Sequence, residues 1–115
     1  MKIKNAKIKN VTQRLENGRL VVNMEFHYMT HFKIFVFNLA NPVEMQNFIK
    51  LMEFAEVRNF GGLEGKTIRV AEYHDFVIAV GHPIEDRFVN VTNTMVYSVE
   101  ELSELELFKE YPKTE

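Results

Sequence analysis

The first half of the chain has the polar and apolar alternation of β-structure. Ile3, Ala6, Ile8 and Val11 repeat imperfectly, which predicts one bulge near Asn5 and another near Asn10. Asn-Gly at positions 17–18 is a strong hairpin signal, because both residues tolerate positive φ. In the strand after it, alternate residues form an apolar face: Leu20, Val22, Met24, Phe26 and Tyr28. Its other face carries Val21, Asn23, Glu25 and His27.

Residues 31–39, HFKIFVFNL, continue this pattern with an apolar run rich in β-branched and aromatic residues. Because apolar residues occupy both faces, the run predicts a largely buried strand. Further along, Ile68 and Val70 match the apolar residues of 76–80 across a turn at 72–75, which predicts a second hairpin. Residues 88–91 are a short extended piece that predicts one more strand.

Two segments have helical spacing instead. Asn41-Pro42 supplies an N-cap and a proline at the first helical position, and Met45, Phe48, Ile49 and Met52 follow at the spacing of a helix over 42–55. Ser98 and Glu101 form a capping-box pattern, with a narrow apolar stripe over 99–110. The chain is therefore expected to be one α+β domain, 1–115. We expect a mainly antiparallel sheet of two hairpins, packed with one central helix (about 42–55) and a C-terminal acidic helix (about 99–110).

Composition narrows the function classes. The 115 residues are 46% hydrophobic and 26% charged, which indicates a globular protein, and the net charge is −2. The absence of cysteine excludes disulfides, zinc thiolate sites and cysteine nucleophiles. The N-terminal segment has no apolar run typical of a signal peptide, and no window is long enough to span a membrane, so a cytoplasmic location is expected.

The charge is distributed unevenly between the two ends of the chain. The first strand carries four lysines and Arg14, without an acidic residue before Glu16. The tail from Ser98 carries six glutamates. Lysines that protect an edge strand and a solvated acidic helix would explain this asymmetry. The alternative is that the two ends attract each other between subunits.

The sequence contains no complete catalytic, metal or phosphate-loop motif. His27 and His31 are four apart, but they fall on strand and turn, where that spacing brings no two ligands together. The acidic residues of the tail lack the apolar setting of a general acid, and Ser98 is explained as a helix cap. GGLEGK, residues 61–66, lacks the Walker spacing and leads into a strand, so its glycines are assigned to turns. We therefore expect no enzyme, no cofactor and no metal.

Residues around the second hairpin are the best candidates for binding. Arg69 lies on the face opposite Ile68 and Val70, where its guanidinium could bind a phosphate, although a solvated arginine is the simpler explanation. His82 and Arg87 follow the hairpin's second strand, in a loop of the kind that carries binding residues. Phe88 could stack on a base or belong to the core.

The segment "LEGKTIRV…FVIAVGHPIEDRF" resembles a pattern in small phage-encoded anti-defence proteins related to the first-described anti-Thoeris sponges. The matching residues are Leu63, Gly65, Lys66, Arg69, Val70, Gly81, His82, Asp86 and Phe88. The sequence departs at Glu85, where the family has lysine, and in its compact run over 31–39 and its acidic C-terminal helix. Proteins of that family bind cyclic nucleotide immune signals, such as cyclic ADP-ribose isomers, without cleaving them.

This resemblance implies a homo-oligomer in the host cytoplasm that sequesters a cyclic nucleotide or ADP-ribose-derived molecule. Arg69 and Arg87 would contact phosphates, His82 would donate a hydrogen bond, and Phe88 or Tyr73 would stack. The alternative function is a protein inhibitor of a host defence complex, such as a CRISPR effector, whose acidic helix imitates nucleic acid. A phage protein without an anti-defence role is a third possibility.

Overall fold

The structure is a computed structural model that describes residues 1–110, with the side chains of the last helix described as far as residue 105. Its strands are β1 (Lys2–Glu16), β2 (Arg19–His27), β3 (Phe32–Asn38), β4 (Thr67–Tyr73), β5 (Phe76–Gly81), β6 (Phe88–Asn90) and β7 (Val96–Tyr97). Its α-helices are α1 (Pro42–Ala55) and α2 (Val99–Glu110), and a 3-10 turn covers Phe60–Leu63.

All the described strands form one antiparallel sheet in the order β3-β2-β1-β4-β5-β6-β7. The predicted α+β class with a mainly antiparallel sheet is confirmed. The sheet is larger than two hairpins imply, because β3 extends it beyond β2 while β6 and β7 extend it beyond β5. β7 has only two residues and no pattern in the sequence predicted it.

The inner face of the sheet packs on α1. Residues paired across strands share a face, so the pairs Ala6–Ile68 and Ile8–Phe26 both point inward. They pack with Leu51 of α1 in the main core. The core continues with Val22, Met24, Phe37, Phe48, Phe54, Leu63, Val70, Val80 and Val89.

The outer face is covered along only part of its width. Leu102 of α2 packs on Ala71, Ala79 and Phe88, which belong to β4, β5 and β6. The outer side of β1, β2 and β3 has no helix over it within the described residues, and Ile34 of β3 has 64% of its surface exposed. The sequence was right that residues 31–39 hold a strand and wrong that the strand is largely buried, because β3 lies at the edge of the sheet.

Local signals act where they were predicted to act, with one exception in β1. Asn10 has a φ of 56° and lies within a register shift between Lys9 and Thr12, which confirms the second bulge. The expected bulge at Asn5 is wrong, because β1 pairs with β4 without interruption from Lys2 to Lys7. At the start of α1, the Asn41 side chain accepts hydrogen bonds from Val43 N and Glu44 N at 2.9 and 3.2 Å.

Candidate functional site

Arg69 holds the loop that follows β5. Its side chain extends from the outer face of β4, where Nε donates a hydrogen bond to the carbonyl of His82 at 2.9 Å. Another guanidinium nitrogen donates to the carbonyl of Glu85. The guanidinium carbon also lies 5.1 Å from the centre of the Phe88 ring. Arg69 therefore already uses, for two carbonyls and an aromatic ring, much of the guanidinium that a phosphate would need to contact.

The His82 side chain also stabilises that loop, through hydrogen bonds with its main chain. Its Nδ1 accepts hydrogen bonds from Ile84 N at 3.0 Å and Glu85 N at 2.9 Å. This arrangement places the ring proton on Nε2, because a nitrogen that accepts two N–H groups carries no proton of its own. The ring also meets Phe54 of α1 edge-on, with 6.1 Å between centroids.

Arg87 is the most open member of the predicted trio. Half of its side chain is exposed, Nη1 lies 3.1 Å from Glu85 Oε1, and its guanidinium sits 5.3 Å from the ring centre of Phe54. The structure thus brings Arg69, His82 and Arg87 around one loop. Among them, Arg87 keeps the most contact with solvent.

The two predicted stacking residues lie apart. Phe88 is fully buried against Gly81 and Leu102, so it presents no open ring face. Tyr73 is half-buried and contacts His74, with 4.1 Å between ring centroids. It lies four residues along β4 from Arg69, about 13 Å at the rise of a strand. Tyr73 therefore lies outside the loop cluster.

Asp86 ties the same loop to the last helix. Its Oδ1 accepts a hydrogen bond from Val99 N at 2.8 Å, at the first residue of α2. Ser98 and Glu101 exchange the reciprocal hydrogen bonds of a capping box, at 2.8 and 3.1 Å. The 82–88 segment is thus a structural joint between β4, β5 and α2.

A different set of side chains forms a row on the open part of the outer face. Lys7 of β1 pairs with Thr67 of β4 on one side and with His27 of β2 on the other. His27 in turn pairs with Phe32 of β3. The His27 and Phe32 rings stack, with 4.9 Å between centroids and 10° between planes, and 48% of Phe32 is exposed. We call Thr67, Lys7, His27 and Phe32 the outer row.

A cleft of about 330 Å³ opens beside the outer row. Its lining is Asn5, Ala6, Lys7, Lys9, His27, Tyr28, Met29 and Thr67. Lys7 and Lys9 are exposed, and neither forms an ion pair with the side chains that the structure describes. The cleft therefore presents two exposed ammonium groups together with His27, one ring of the stacked pair.

These lysines need an explanation other than edge protection. β1 lies inside the sheet between β2 and β4, so the expectation that its lysines shield an exposed edge is wrong. The missed signal was the alternation of Asn5, Lys7 and Lys9, which puts all three on one face of a strand. The sequence did not show which strands would flank that face.

The carboxylates near the cleft are already engaged. Glu25 Oε1 lies 2.7 Å from His27 Nε2 and accepts from Asn10 Nδ2 at 2.8 Å. These two hydrogen bonds lower the pKa of Glu25. Glu64 accepts from the main-chain N–H groups of Asn10 and Val11 at the bulge, and those bonds lower its pKa as well. Both carboxylates are therefore weaker bases than ordinary glutamates.

A buried ionic cluster lies at the end of the inner face. Glu72 is 3% exposed, and its carboxylate lies 2.5 Å from the Tyr28 hydroxyl, 3.1 Å from Lys4 Nζ and 3.4 Å from Lys33 Nζ. Burial acts to raise the pKa of Glu72, but the Tyr28 hydrogen bond and the two ammonium groups outweigh it and lower that pKa. The partners satisfy one another, which indicates a structural role.

Comparison of the chain with protein-family models, with curated proteins and with solved structures finds no match. Within the described residues, no three of the histidine, aspartate and glutamate side chains are grouped so as to hold a metal ion. None of the described helices has the length and apolar character needed to cross a membrane.

Proposed function

We propose that the protein binds a phosphate-bearing small molecule of the nucleotide type on the outer face of its sheet and holds it unchanged. The observation that carries this proposal is the outer row beside its cleft, where Lys7 and Lys9 line the cleft together with His27, whose ring stacks on that of Phe32. Ammonium groups bind phosphate, and an exposed aromatic ring stacks on a base whatever its identity.

The dimensions of the site support a small ligand. Its volume of about 330 Å³ lies at the lower end of the range for small-molecule pockets. Thr67 and Asn5 add polar groups on the same face as the lysines, and these can fix the orientation of a ribose or phosphate. A mononucleotide or a compact cyclic nucleotide fits this combination better than an extended polymer.

The side chains near the cleft are suited to holding a ligand without reacting with it. Its nearby carboxylate, Glu25, is engaged by His27 and Asn10, and its lowered pKa makes it a poor proton acceptor. The lysines act as fixed charges, which stabilise a bound anion without attacking it. We therefore propose a binding protein rather than an enzyme.

The biological setting of the proposal comes from the resemblance over residues 63–88. It suggests a phage anti-defence protein in the host cytoplasm that sequesters a cyclic nucleotide or an ADP-ribose-derived signal. In this fold Arg69, His82 and Phe88 serve the loop after β5, so we assign ligand binding first to Lys7, Lys9 and Phe32. Arg87 remains available for a phosphate that extends beyond the cleft.

Isothermal titration calorimetry with ADP-ribose, cyclic ADP-ribose isomers and cyclic mono- and dinucleotides tests this function. Lys7→Ala is expected to weaken binding about tenfold or more, because a charged hydrogen bond contributes roughly 1.5–3 kcal/mol. Phe32→Ala is expected to weaken it to a similar extent through the lost stacking, about 1–3 kcal/mol per base. Arg58→Ala removes the same charge from the loop after α1 and is the matched control.

Three results would contradict the proposal. They are the absence of heat across the whole panel, equal loss of affinity in Lys7→Ala and Arg58→Ala, and conversion of the bound molecule into a product. Retained binding in Lys7→Ala with loss in Arg87→Ala would move the site to the loop after β5. Far-UV circular dichroism of each variant shows whether it remains folded.

A second candidate function concerns the acidic helix. Leu102 anchors α2 on the sheet, while Glu100 and Glu104 remain exposed on that helix. We propose it as a surface that could occupy a basic groove of a host defence complex such as a CRISPR effector, because complementary charge guides such association. Reversal of both charges, Glu100→Lys with Glu104→Lys, separates the two functions, since it leaves the outer row intact.

A further inference from the structure

One edge of β3 pairs with no other described strand. The hydrogen bonds on its other side, toward β2, show which residues direct their main-chain groups to that open edge. Leu39 N donates to Leu20 O at 2.9 Å, and Tyr28 N donates to His31 O at 2.8 Å. These bonds mark the odd-numbered residues of this segment as the ones that face β2, because antiparallel pairs alternate along a ladder. The even-numbered residues Phe32, Ile34 and Val36 therefore direct their N–H and C=O groups away from the sheet.

One end of this edge is already closed. The main-chain N–H of Asn38 also points outward. It donates to the Glu44 carboxylate of α1 at 2.8 Å. Residues before it have no corresponding partner among the described residues. The open part of the edge is therefore centred on Ile34 and Val36, whose side chains are 64% and 46% exposed.

The edge also lacks the features that usually prevent strand pairing. Natural edge strands are protected by outward charges, prolines or bulges. The only charged residue of β3 is Lys33, and its ammonium group turns to the inner face, where it lies 3.4 Å from Glu72. No bulge interrupts β3, since its pairing with β2 is continuous from Phe32 to Asn38.

We propose that β3 pairs antiparallel with β3 of a second copy of the chain, about a two-fold axis at Phe35. This register sets Ile34 opposite the partner's Val36 and Val36 opposite the partner's Ile34. Both residues direct their main-chain groups outward, so each pair can exchange two N–H···O=C bonds. The two sheets join into one, with four contiguous aliphatic side chains on its outer face.

A second copy fits this edge because the edge complements itself. The main-chain N–H and C=O groups that point outward belong to alternate residues, as a two-fold antiparallel pair requires. The Lys33 charge that would repel its own copy is paired with Glu72 on the inner face of each subunit. With two hydrogen-bonded residue pairs the contact lies at the small end of protein interfaces, so a concentration-dependent dimer is expected. Pairing through the edge leaves the outer face open, so this inference does not depend on the proposed ligand.

Sedimentation velocity over a wide range of protein concentration tests the pairing. The wild-type chain is expected to pass from monomer to dimer as its concentration rises. Ile34→Lys is expected to weaken the dimer by about tenfold or more, because it places two like charges beside the new strand pair. Ile84→Lys makes the same change at a residue that is 84% exposed in the loop after β5, and it is expected to leave the dimer unchanged.

Disulfide crosslinking tests the register, because the chain contains no cysteine of its own. An oxidised mixture of Ile34→Cys and Val36→Cys should give more crosslinked dimer than either variant alone, since paired residues have Cα atoms close enough for a disulfide. A wild-type chain that stays monomeric at all concentrations would overturn the proposal. So would a dimer that Ile34→Lys and Ile84→Lys affect equally, or crosslinking without preference for the mixture. Thermal unfolding of each variant shows that the fold persists.

Discussion

At the scale of single residues, Gly81 shows how tightly the loop after β5 is packed. The ring of Phe88 lies directly on it, and a Cβ at Gly81 would come 2.4 Å from a ring carbon. Gly65 is different, because its φ of 82° and open surroundings identify a turn glycine. The expectation that the glycines of residues 61–66 serve turns thus holds for Gly65, whereas Gly81, outside that segment, permits a close approach of an aromatic ring.

We predict that Gly81→Ala destabilises the protein by about 1–3 kcal/mol, since the added methyl group must displace a fully buried ring. Urea unfolding followed by circular dichroism measures this difference. Gly61→Ala is the control, because its Cβ would meet only the Asn59 side chain, at 3.4 Å. Equal stability of the two variants would show that Phe88 can move away without cost.

At this scale, sequence patterns predicted backbone conformation and side-chain direction better than they predicted which residues contact one another. The positive φ of Asn17 and Gly18 and the face of Arg69 follow from residue type and strand alternation alone. The bonds that Arg69 makes with His82 and Glu85 join residues 13 and 16 positions apart, through a loop whose path no local pattern specifies. The predicted ligand-binding arginine therefore had structural partners that the sequence did not reveal.

At the scale of elements, α2 depends on the loop before it. The Asp86 carboxylate accepts the N–H of Val99, one of the groups at a helix start that has no partner within the helix. A negative charge there also interacts favourably with the helix dipole. The helix is therefore joined to the sheet by Asp86 at its start and by Leu102 in its second turn.

We predict that Asp86→Ala costs about 0.5–2 kcal/mol, the usual range for the loss of a helix cap. Its effect should be local. Amide hydrogen exchange of the first turn of α2 should become faster than in the wild-type protein, while exchange in β1 and β4 changes little. Glu104→Ala removes an exposed carboxylate from the same helix and should leave the first turn protected. Identical exchange in both variants would exclude a capping function for Asp86.

Element type followed from the sequence more directly than element position. The run over 31–39 predicted a strand through its β-branched and aromatic residues, but the order of strands decided that Ile34 and Val36 would be exposed. The same order placed β1 inside the sheet, which turned apparent edge lysines into the lining of a cleft. Strand order depends on distant pairings, and short patterns do not encode those pairings.

At the scale of the whole molecule, Glu72 joins four strands. It belongs to β4, its partners Lys4 and Lys33 belong to β1 and β3, and its partner Tyr28 directly follows β2. β1 and β2 separate β3 from β4 in the sheet order, yet Lys33 Nζ reaches the Glu72 carboxylate. The sheet therefore curves toward its inner face at this end, and the Glu72 carboxylate contacts side chains from both sides of that curve.

The stability of this junction should depend on pH at both extremes. The pKa of Glu72 lies below its ordinary value of 4.5, so its contribution is fully present above that pH and is lost as pH falls through the lowered pKa. Burial and the bond to Glu72 raise the pKa of Tyr28 above its ordinary value of 10.0. The Tyr28 contribution is therefore present below that pH and is lost as the hydroxyl ionises in more alkaline solution.

We predict that Glu72→Gln reduces stability at neutral pH by about 1–3 kcal/mol, the usual cost of removing one partner of a charged hydrogen bond, because two partly exposed ammonium groups lose their carboxylate. Its stability should then fall less than that of the wild-type protein between pH 6 and about 3. Urea unfolding across this range measures both effects. Glu53→Gln alters an exposed carboxylate that pairs with Lys50 one helical turn away, and it should retain the wild-type acid dependence. If Glu72→Gln also retained it, the acid sensitivity of the fold would have to come from carboxylates other than Glu72.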